Sequence, residues 1–190
     1  MNNDIKPKIT YKDHFLPTFL TDLIIKDSSM RVINIEEEKS ELYYKTLNGY
    51  GKIIFKNNSE YDGFMKYGIL ESDERSCTFK FANGTEYKGE LRQNQLTGYG
   101  EYSFPSGATY KGQVKNGLRN GKGVYEYAKE GLIYEGEWMN GLKHGKGILS
   151  VKDQMLYEGE FFEGIRQGFG KIEWVTKNIY EGYLYLCNNN

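Results

Sequence analysis

Apolar and polar positions alternate along most of this chain in short runs separated by turns that carry glycine. In the run from Tyr134 to Met139, strand geometry puts every second residue on one face, so Tyr134, Gly136 and Trp138 lie opposite Glu135, Glu137 and Met139. The following run alternates the same way, with Gly147, Leu149 and Val151 against Ile148 and Ser150. Its counterparts set Gly100, Tyr102 and Phe104 against Glu101 and Ser103, and Gly123, Tyr125 and Tyr127 against Val124 and Glu126. One face is aromatic and the other mostly polar. Two such runs joined by a turn over residues 139–144 make a β-hairpin, and a second kind of turn, such as Pro105-Ser106-Gly107, leads to the next.

The hairpin repeats. Its leading tyrosines stand at Tyr61, Tyr87, Tyr110, Tyr134, Tyr157 and Tyr180, with gaps of 26, 23, 24, 23 and 23 residues. A glycine follows each tyrosine by two places, and a pair such as Gly145 and Gly147 closes most units. Glycine inside a strand costs about 0.5–1 kcal/mol against alanine, so its recurrence predicts that it makes room for an aromatic ring from the adjacent strand. Upstream, Gly49 and Gly51 mark a degenerate half-unit in which Glu38 occupies the tyrosine place.

The run Tyr-x-Gly-x-Trp-x-x-Gly-x-x-x-Gly-x-Gly from Tyr134 resembles the MORN (membrane occupation and recognition nexus) repeat at every marker. Units from Tyr87, Tyr110 and Tyr157 keep the tyrosine and glycines but place Leu91, Val114 and Phe161 where tryptophan belongs. The unit from Tyr61 departs further. Met65 replaces tryptophan, Arg75 and Cys77 replace the glycine pair, and three extra residues lie between Gly68 and Arg75, an insertion that reads as tolerated drift or as a site. The expected fold is all-β: an elongated single-layer antiparallel sheet of about six stacked MORN-type hairpins, an open, twisted ribbon or trough. Three parts are expected, a leader over 1–37, the array over 38–186 and a polar tail over 187–190.

In the leader, Leu16, Phe19, Leu20, Leu23 and Ile24 share a helical face and Pro17 suits a first helical turn, which predicts a short amphipathic helix over residues 15–27. The run from Leu23 to Ile25 also fits a strand. Residues 31–35 alternate as a first strand, and residues 36–38 form an acidic turn. A helix of about ten residues spans about 15 Å, whereas about twelve strands extend roughly 55 Å, so the leader cannot cover the aromatic face. That face predicts an interaction surface whose accessible lining is Tyr102, Phe104, Tyr125, Tyr127, Trp138, Phe161 and Trp174, with Phe19 and Leu23 as further contacts. Tyr87, Tyr110, Tyr134 and Tyr157 are expected to be core.

Composition narrows the function. No run of eighteen apolar residues exists, and the amino terminus lacks an apolar segment before a cleavage site, so a cytoplasmic protein is expected. Cys77 and Cys187 are far apart in the repeat and read as free thiols. A net charge of −1 argues against nucleic acid. The polar face turns acidic towards the carboxyl end through Glu135, Glu137, Glu158, Glu160 and Glu181; this reads as a solvated, ion-paired face or as a surface for a basic partner. The two histidines, His14 and His144, form no catalytic set, and the Gly-x-Gly pairs feed strands rather than helix amino termini. No enzyme, cofactor or metal is expected.

The resemblance implies an accessory array beside a catalytic domain or a free-standing adaptor, and 190 residues leave no room for the former. Free-standing arrays of the family occur in ciliary axonemes, including radial spoke heads, in cytoskeletal collars and on motor-protein tails. The expected role is therefore a non-catalytic cytoskeletal scaffold, of a cilium by that resemblance, that binds axonemal or other cytoskeletal proteins along the aromatic trough. Two alternatives stand beside it. One is a phosphoinositide or membrane-junction module using Lys111, Lys115, Arg119, Lys122, Lys143 and Lys146; the other is a homodimer through the open edge at Leu184 and Leu186.

Overall fold

The computed structural model describes residues 24–26, 32–34, 48–55, 57–73 and 76–185. They form fifteen strands in one antiparallel sheet. In chain order these are β1 (Ile24–Lys26), β2 (Val32–Asn34), β3 (Gly49–Ile54), β4 (Glu60–Lys66), β5 (Ile69–Glu71), β6 (Cys77–Lys80), β7 (Glu86–Arg92) and β8 (Gln95–Ser103). They continue as β9 (Ala108–Lys115), β10 (Leu118–Tyr127), β11 (Leu132–Met139), β12 (Leu142–Val151), β13 (Met155–Phe162), β14 (Ile165–Trp174) and β15 (Ile179–Leu184). From β6 to β15 each strand lies beside its sequence neighbours. At the other end the order is β6, β4, β3, β1, β2, and β5 pairs only with β4.

Two-residue turns close the hairpins. Asn116 and Gly117 have φ of 51° and 75°, and Asn140 and Gly141 have 50° and 84°, the left-handed pair whose twist matches that of the strands it joins. Successive turns are stitched to one another, because Gly117 N donates to Leu96 O at 2.9 Å, Gly141 N to Arg119 O at 2.9 Å and Gly164 N to Lys143 O at 2.8 Å.

The expected single-layer array of hairpins is present, with three corrections. Strands begin directly after each two-residue turn, so residues 142–144 belong to β12 and not to a loop. The glycine pair lies inside the strand as a bulge: Gly136 faces Gly147, yet Glu137 faces His144, which leaves two extra residues in β12. In the unit from Tyr61 the insertion splits the second strand into β5 and β6, raising the strand count above twelve.

Ile24–Lys26 is a strand pairing β2 and β3, so the expected helix does not extend over it; a neighbouring edge with matched register, Ile25 opposite Ile53, settles what a short apolar run leaves open. Val32–Asn34 is likewise a strand, the second in order rather than the first. The rest of the expected helix, Phe19 and Leu23 included, and the tail lie outside the described residues.

Candidate partner-binding face

Register places the leading tyrosines in one row. Tyr87 faces Tyr102, Tyr102 faces Tyr110, Tyr110 faces Tyr125 and Tyr125 faces Tyr134, and the row continues through Leu149, Tyr157 and Ile172 to Tyr180. Two residues along runs a glycine row, in which Gly89, Gly100, Gly112, Gly123, Gly136, Gly147, Gly159, Gly170 and Gly182 face one another in turn. The ring of each leading tyrosine lies along its own strand over this second row. A Cβ on Gly147 would sit 2.5 Å from Tyr134 Oη, and one on Gly136 would sit 2.6 Å from the same atom. The ring therefore reaches the glycine of its own strand as well as that of the adjacent strand, where only the latter was expected from the sequence.

The hydroxyl finds a partner three residues on. Tyr134 Oη donates to Glu137 O at 2.9 Å, Tyr110 Oη to Gln113 O at 2.7 Å and Tyr157 Oη to Glu160 O at 2.8 Å. Tyr87, Tyr110, Tyr134 and Tyr157 are fully buried, as expected from the repeat, and so is Tyr61. Burial pushes the phenols of Tyr110 and Tyr134 up to about 12, and those of Tyr61, Tyr87 and Tyr102 further in the same direction. Cys77 stands in the glycine row beside Gly89, its Sγ donating to Gly89 O at 3.4 Å, and burial pushes its thiol up to about 12.

Rings also meet across an intervening strand. Tyr110 of β9 approaches Trp138 of β11 at 5.5 Å, Tyr134 of β11 approaches Phe161 of β13 at 5.0 Å, and Phe104, just after β8, approaches Tyr125 of β10 at 6.3 Å. Strands two apart are separated by about 9.6 Å, so these side chains lean over the strand between them and cover the face with its own rings.

This packing divides the expected lining. Tyr102, Trp138 and Phe161 are 6%, 5% and 3% exposed, so they are core and not an accessible lining, a correction to the sequence reading. Trp138 also donates from Nε1 to Gly123 O at 3.1 Å, and Tyr102 from Oη to Gly117 O at 2.8 Å. Phe104, Tyr125 and Tyr127 are half-buried, and Trp174 is exposed. Phe104 and Tyr102 share a pocket of about 310 Å³ with Phe81, Leu118 and Arg119.

Three cations lie on the same face. The Arg119 guanidinium sits 4.4 Å over the Trp138 ring and 5.3 Å over Tyr125, and its Nη2 donates to Gly141 O at 2.7 Å. Lys143 Nζ lies 5.3 Å over Tyr134 and 5.9 Å over Phe161, and Arg166 lies 5.6 Å over Tyr157. Each follows its leading tyrosine by nine residues; the same place holds Leu70 and Leu96 in the earlier units, both buried. Burial lowers the Lys143 pKa, and Arg119 and Arg166 push it the same way. None of the three cations is in an ion pair among the described residues. The sequence named Arg119 and Lys143 among six cations for the lipid alternative, but neither Arg166 nor a single row on the aromatic face. Carried back from Gly147 through Gly145, the alternation does reach Lys143, but a turn drawn over residues 139–144 hides it.

On the opposite face, the residue three after each tyrosine serves the bulge. Glu90 Oε1 accepts Tyr99 N–H at 2.9 Å, Gln113 Oε1 accepts Lys122 N–H at 2.8 Å, and the carboxylates of Glu137 and Glu160 lie over Gly145 and Gly168. Ion pairs cross this face, Lys111 with Glu101 at 3.2 Å and Lys80 with Glu86 at 3.1 Å, while Lys171 pairs with Glu173 on its own strand at 3.9 Å. Near the insertion, Ser72, Asp73, Ser76, Lys88 and Glu90 line a second pocket of about 290 Å³. Among the described residues no group of three metal-ligating side chains converges, and no helix is long and apolar enough to cross a membrane.

Comparison with known proteins agrees with this geometry. Residues 87–109, 110–131, 134–153 and 157–179 match the family profile of the MORN repeat. No curated protein sequence matches the chain. Among solved structures, the SAS-4 (dCPAP) TCP domain of Drosophila melanogaster, in complex with a proline-rich motif of Ana2 (dSTIL), aligns over 91% of this chain and 97% of its own at 10% identity and a TM-score of 0.46, a likeness too distant to argue from.

Proposed function

This chain is a MORN-repeat protein, and from that premise we propose that it is a non-catalytic cytoskeletal adaptor that holds a segment of a partner protein along its aromatic face. MORN repeats make protein-interaction or membrane-binding modules. The observation that carries the protein-binding reading is the half-buried pair Phe104 and Tyr125, which meet each other at 6.3 Å beside an apolar pocket. Rings held this way are rigid, so a partner that covers them gains apolar burial while the face loses little freedom.

On the open opposite face Glu90 serves a bulge amide and Glu86 and Glu101 are held in ion pairs. The cytoskeletal setting, a cilium included, rests on where free-standing arrays of this family are found. Affinity capture from the protein's own cells, comparing the wild type with Phe104→Ala/Tyr125→Ala, tests the reading. The wild type is expected to retain axonemal or other cytoskeletal proteins that the double variant loses while its melting curve remains cooperative. Unchanged recovery by the folded variant overturns the role of this face, and retention of membrane proteins alone overturns the cytoskeletal setting.

A further inference from the structure

We propose that the segment held on the aromatic face is acidic, with carboxylates that repeat at the spacing of Arg119, Lys143 and Arg166 and an apolar residue that enters the pocket between Phe81, Phe104 and Leu118. The inference rests on the reading that this face holds a protein and names the chemistry of what it holds. Its support is the charge of the face. Three cations occupy the same place in three successive units, they lie over aromatic rings, and none is ion-paired among the described residues.

On the opposite face Lys80 and Lys111 are matched by carboxylates, whereas each of the three cations here is held over an aromatic ring with no carboxylate in ion-pair reach among the described residues. Burial lowers the pKa of Lys143, and the like charges of Arg119 and Arg166 on the same face push it the same way. An anionic segment relieves that repulsion, and the rings behind the cations exclude water and strengthen each new contact.

The row also has a direction. Leu70 and Leu96 hold the corresponding places in the earlier units, so the face is apolar at β5 and β8 and cationic from β10 to β14. The pocket lies at the boundary, with Arg119 in its wall. A bound segment therefore places its apolar residue near Phe104 and runs its acidic part towards β14.

Equivalent cations are two strands apart, about 9.6 Å. An α-helix presents one face every seven residues, about 10.5 Å, and a polyproline II segment every three, about 9.3 Å. A β-strand fits poorly, because residues three apart point to opposite sides.

A simpler role for the cations is to cover rings with their aliphatic stems. Lys143→Met/Arg166→Met keeps that cover and removes the charge, so it separates the two. Full-length protein is used to select binders from a displayed library of random peptides, and the enriched peptides are synthesised and measured by fluorescence anisotropy at low and high salt. Enrichment in Asp and Glu, with about tenfold or greater weakening in the methionine variant and a steep loss with salt, is the expected result.

Enrichment of neutral or basic peptides that bind the methionine variant normally but lose Phe104→Ala/Tyr125→Ala leaves the face as a protein site and overturns its preference for acid. Peptides insensitive to both variants overturn the use of the face itself. Flotation with phosphatidylcholine vesicles doped with phosphatidylinositol bisphosphate, lost in the methionine variant and accompanied by no enriched peptide, assigns the row to lipid headgroups and overturns the inference. So does the absence of both peptide enrichment and flotation. Should the double variant lose its cooperative melt, Arg166→Gln, at an exposed guanidinium, replaces it in every arm.

Discussion

At the scale of single residues the array is held by one contact repeated: a phenol ring laid over paired glycines, with its hydroxyl donated to a carbonyl three residues on. The contact tolerates no methyl group where the ring is enclosed. In Gly147→Ala the new Cβ meets Tyr134 Oη at 2.5 Å between strands that cannot part, and about 2 kcal/mol or more of stability should be lost. Gly182→Ala makes a similar approach, 2.8 Å to Tyr180 Oη, but Tyr180 is 41% exposed on the last strand and its ring can swing out, so the cost should stay below about 1 kcal/mol. Urea melts of the two variants check the contrast; equal losses would show that the ring is not what the glycines accommodate. The same burial governs alkali. Because burial raises the phenol pKa of Tyr110 and Tyr134 to about 12, the folded state holds these protons more tightly than the unfolded chain, whose phenols titrate near 10. Their contribution to stability is complete below about pH 10 and erodes as pH rises towards 12. The part of the rise in tyrosinate absorbance that comes from these buried phenols should therefore coincide with loss of near-ultraviolet dichroism in one steep step, and their ionisation in a protein that remains folded would contradict it.

At the scale of the hairpin the feature that shapes the element is the bulge carried by the glycine pair. Gly121 and Gly145 take φ of 80° and 56°, and the side chain three after the tyrosine bonds the amide that the bulge frees. Gln113→Ala removes the acceptor of Lys122 N–H and should cost about 1 kcal/mol, whereas Gln113→Glu should be nearly neutral, since glutamate fills this place at Glu90, Glu137 and Glu160. Thermal melts of the pair decide it, and a neutral alanine variant would remove the bulge bond from the account. The period and the two faces of each hairpin are legible in the sequence, because alternation and the tyrosine-glycine spacing report them directly. Strand ends are less so. Gly145 looks like the end of a turn and is a bulge within β12, so Lys143 reads as a loop residue although it belongs to the aromatic face. The break between β5 and β6 is visible as inserted residues, but not that Ser72 bridges it by donating from N to Leu91 O at 2.7 Å. Spacing also names the face of Trp138 and Phe161 without their burial, which comes from contacts across an intervening strand.

At the scale of the whole molecule an open sheet of this kind buries its core by stacking, and each strand is stabilised chiefly by the strands beside it. Burial along the tyrosine row shows the consequence. It is complete at Tyr61, Tyr87, Tyr110, Tyr134 and Tyr157 and fails at Tyr180, where no further strand covers the ring among the described residues and Ile179, Tyr183 and Tyr185 are exposed as well. Stability should therefore be graded rather than uniform, because opening the last strand sacrifices one interface and opening an interior strand sacrifices two. Hydrogen exchange should find the slowest amides in β8 to β13, where strands are long and both neighbours are present, and much faster exchange in β15 and in the three-residue β5. Gly147→Ala, placed between β11 and β13, should accelerate exchange most in those strands and much less in β7, which lies four strands away from β11. If every amide instead exchanged at one rate set by global unfolding, and the variant accelerated all of them equally, the array would be a single cooperative unit and the account by neighbouring strands would fail.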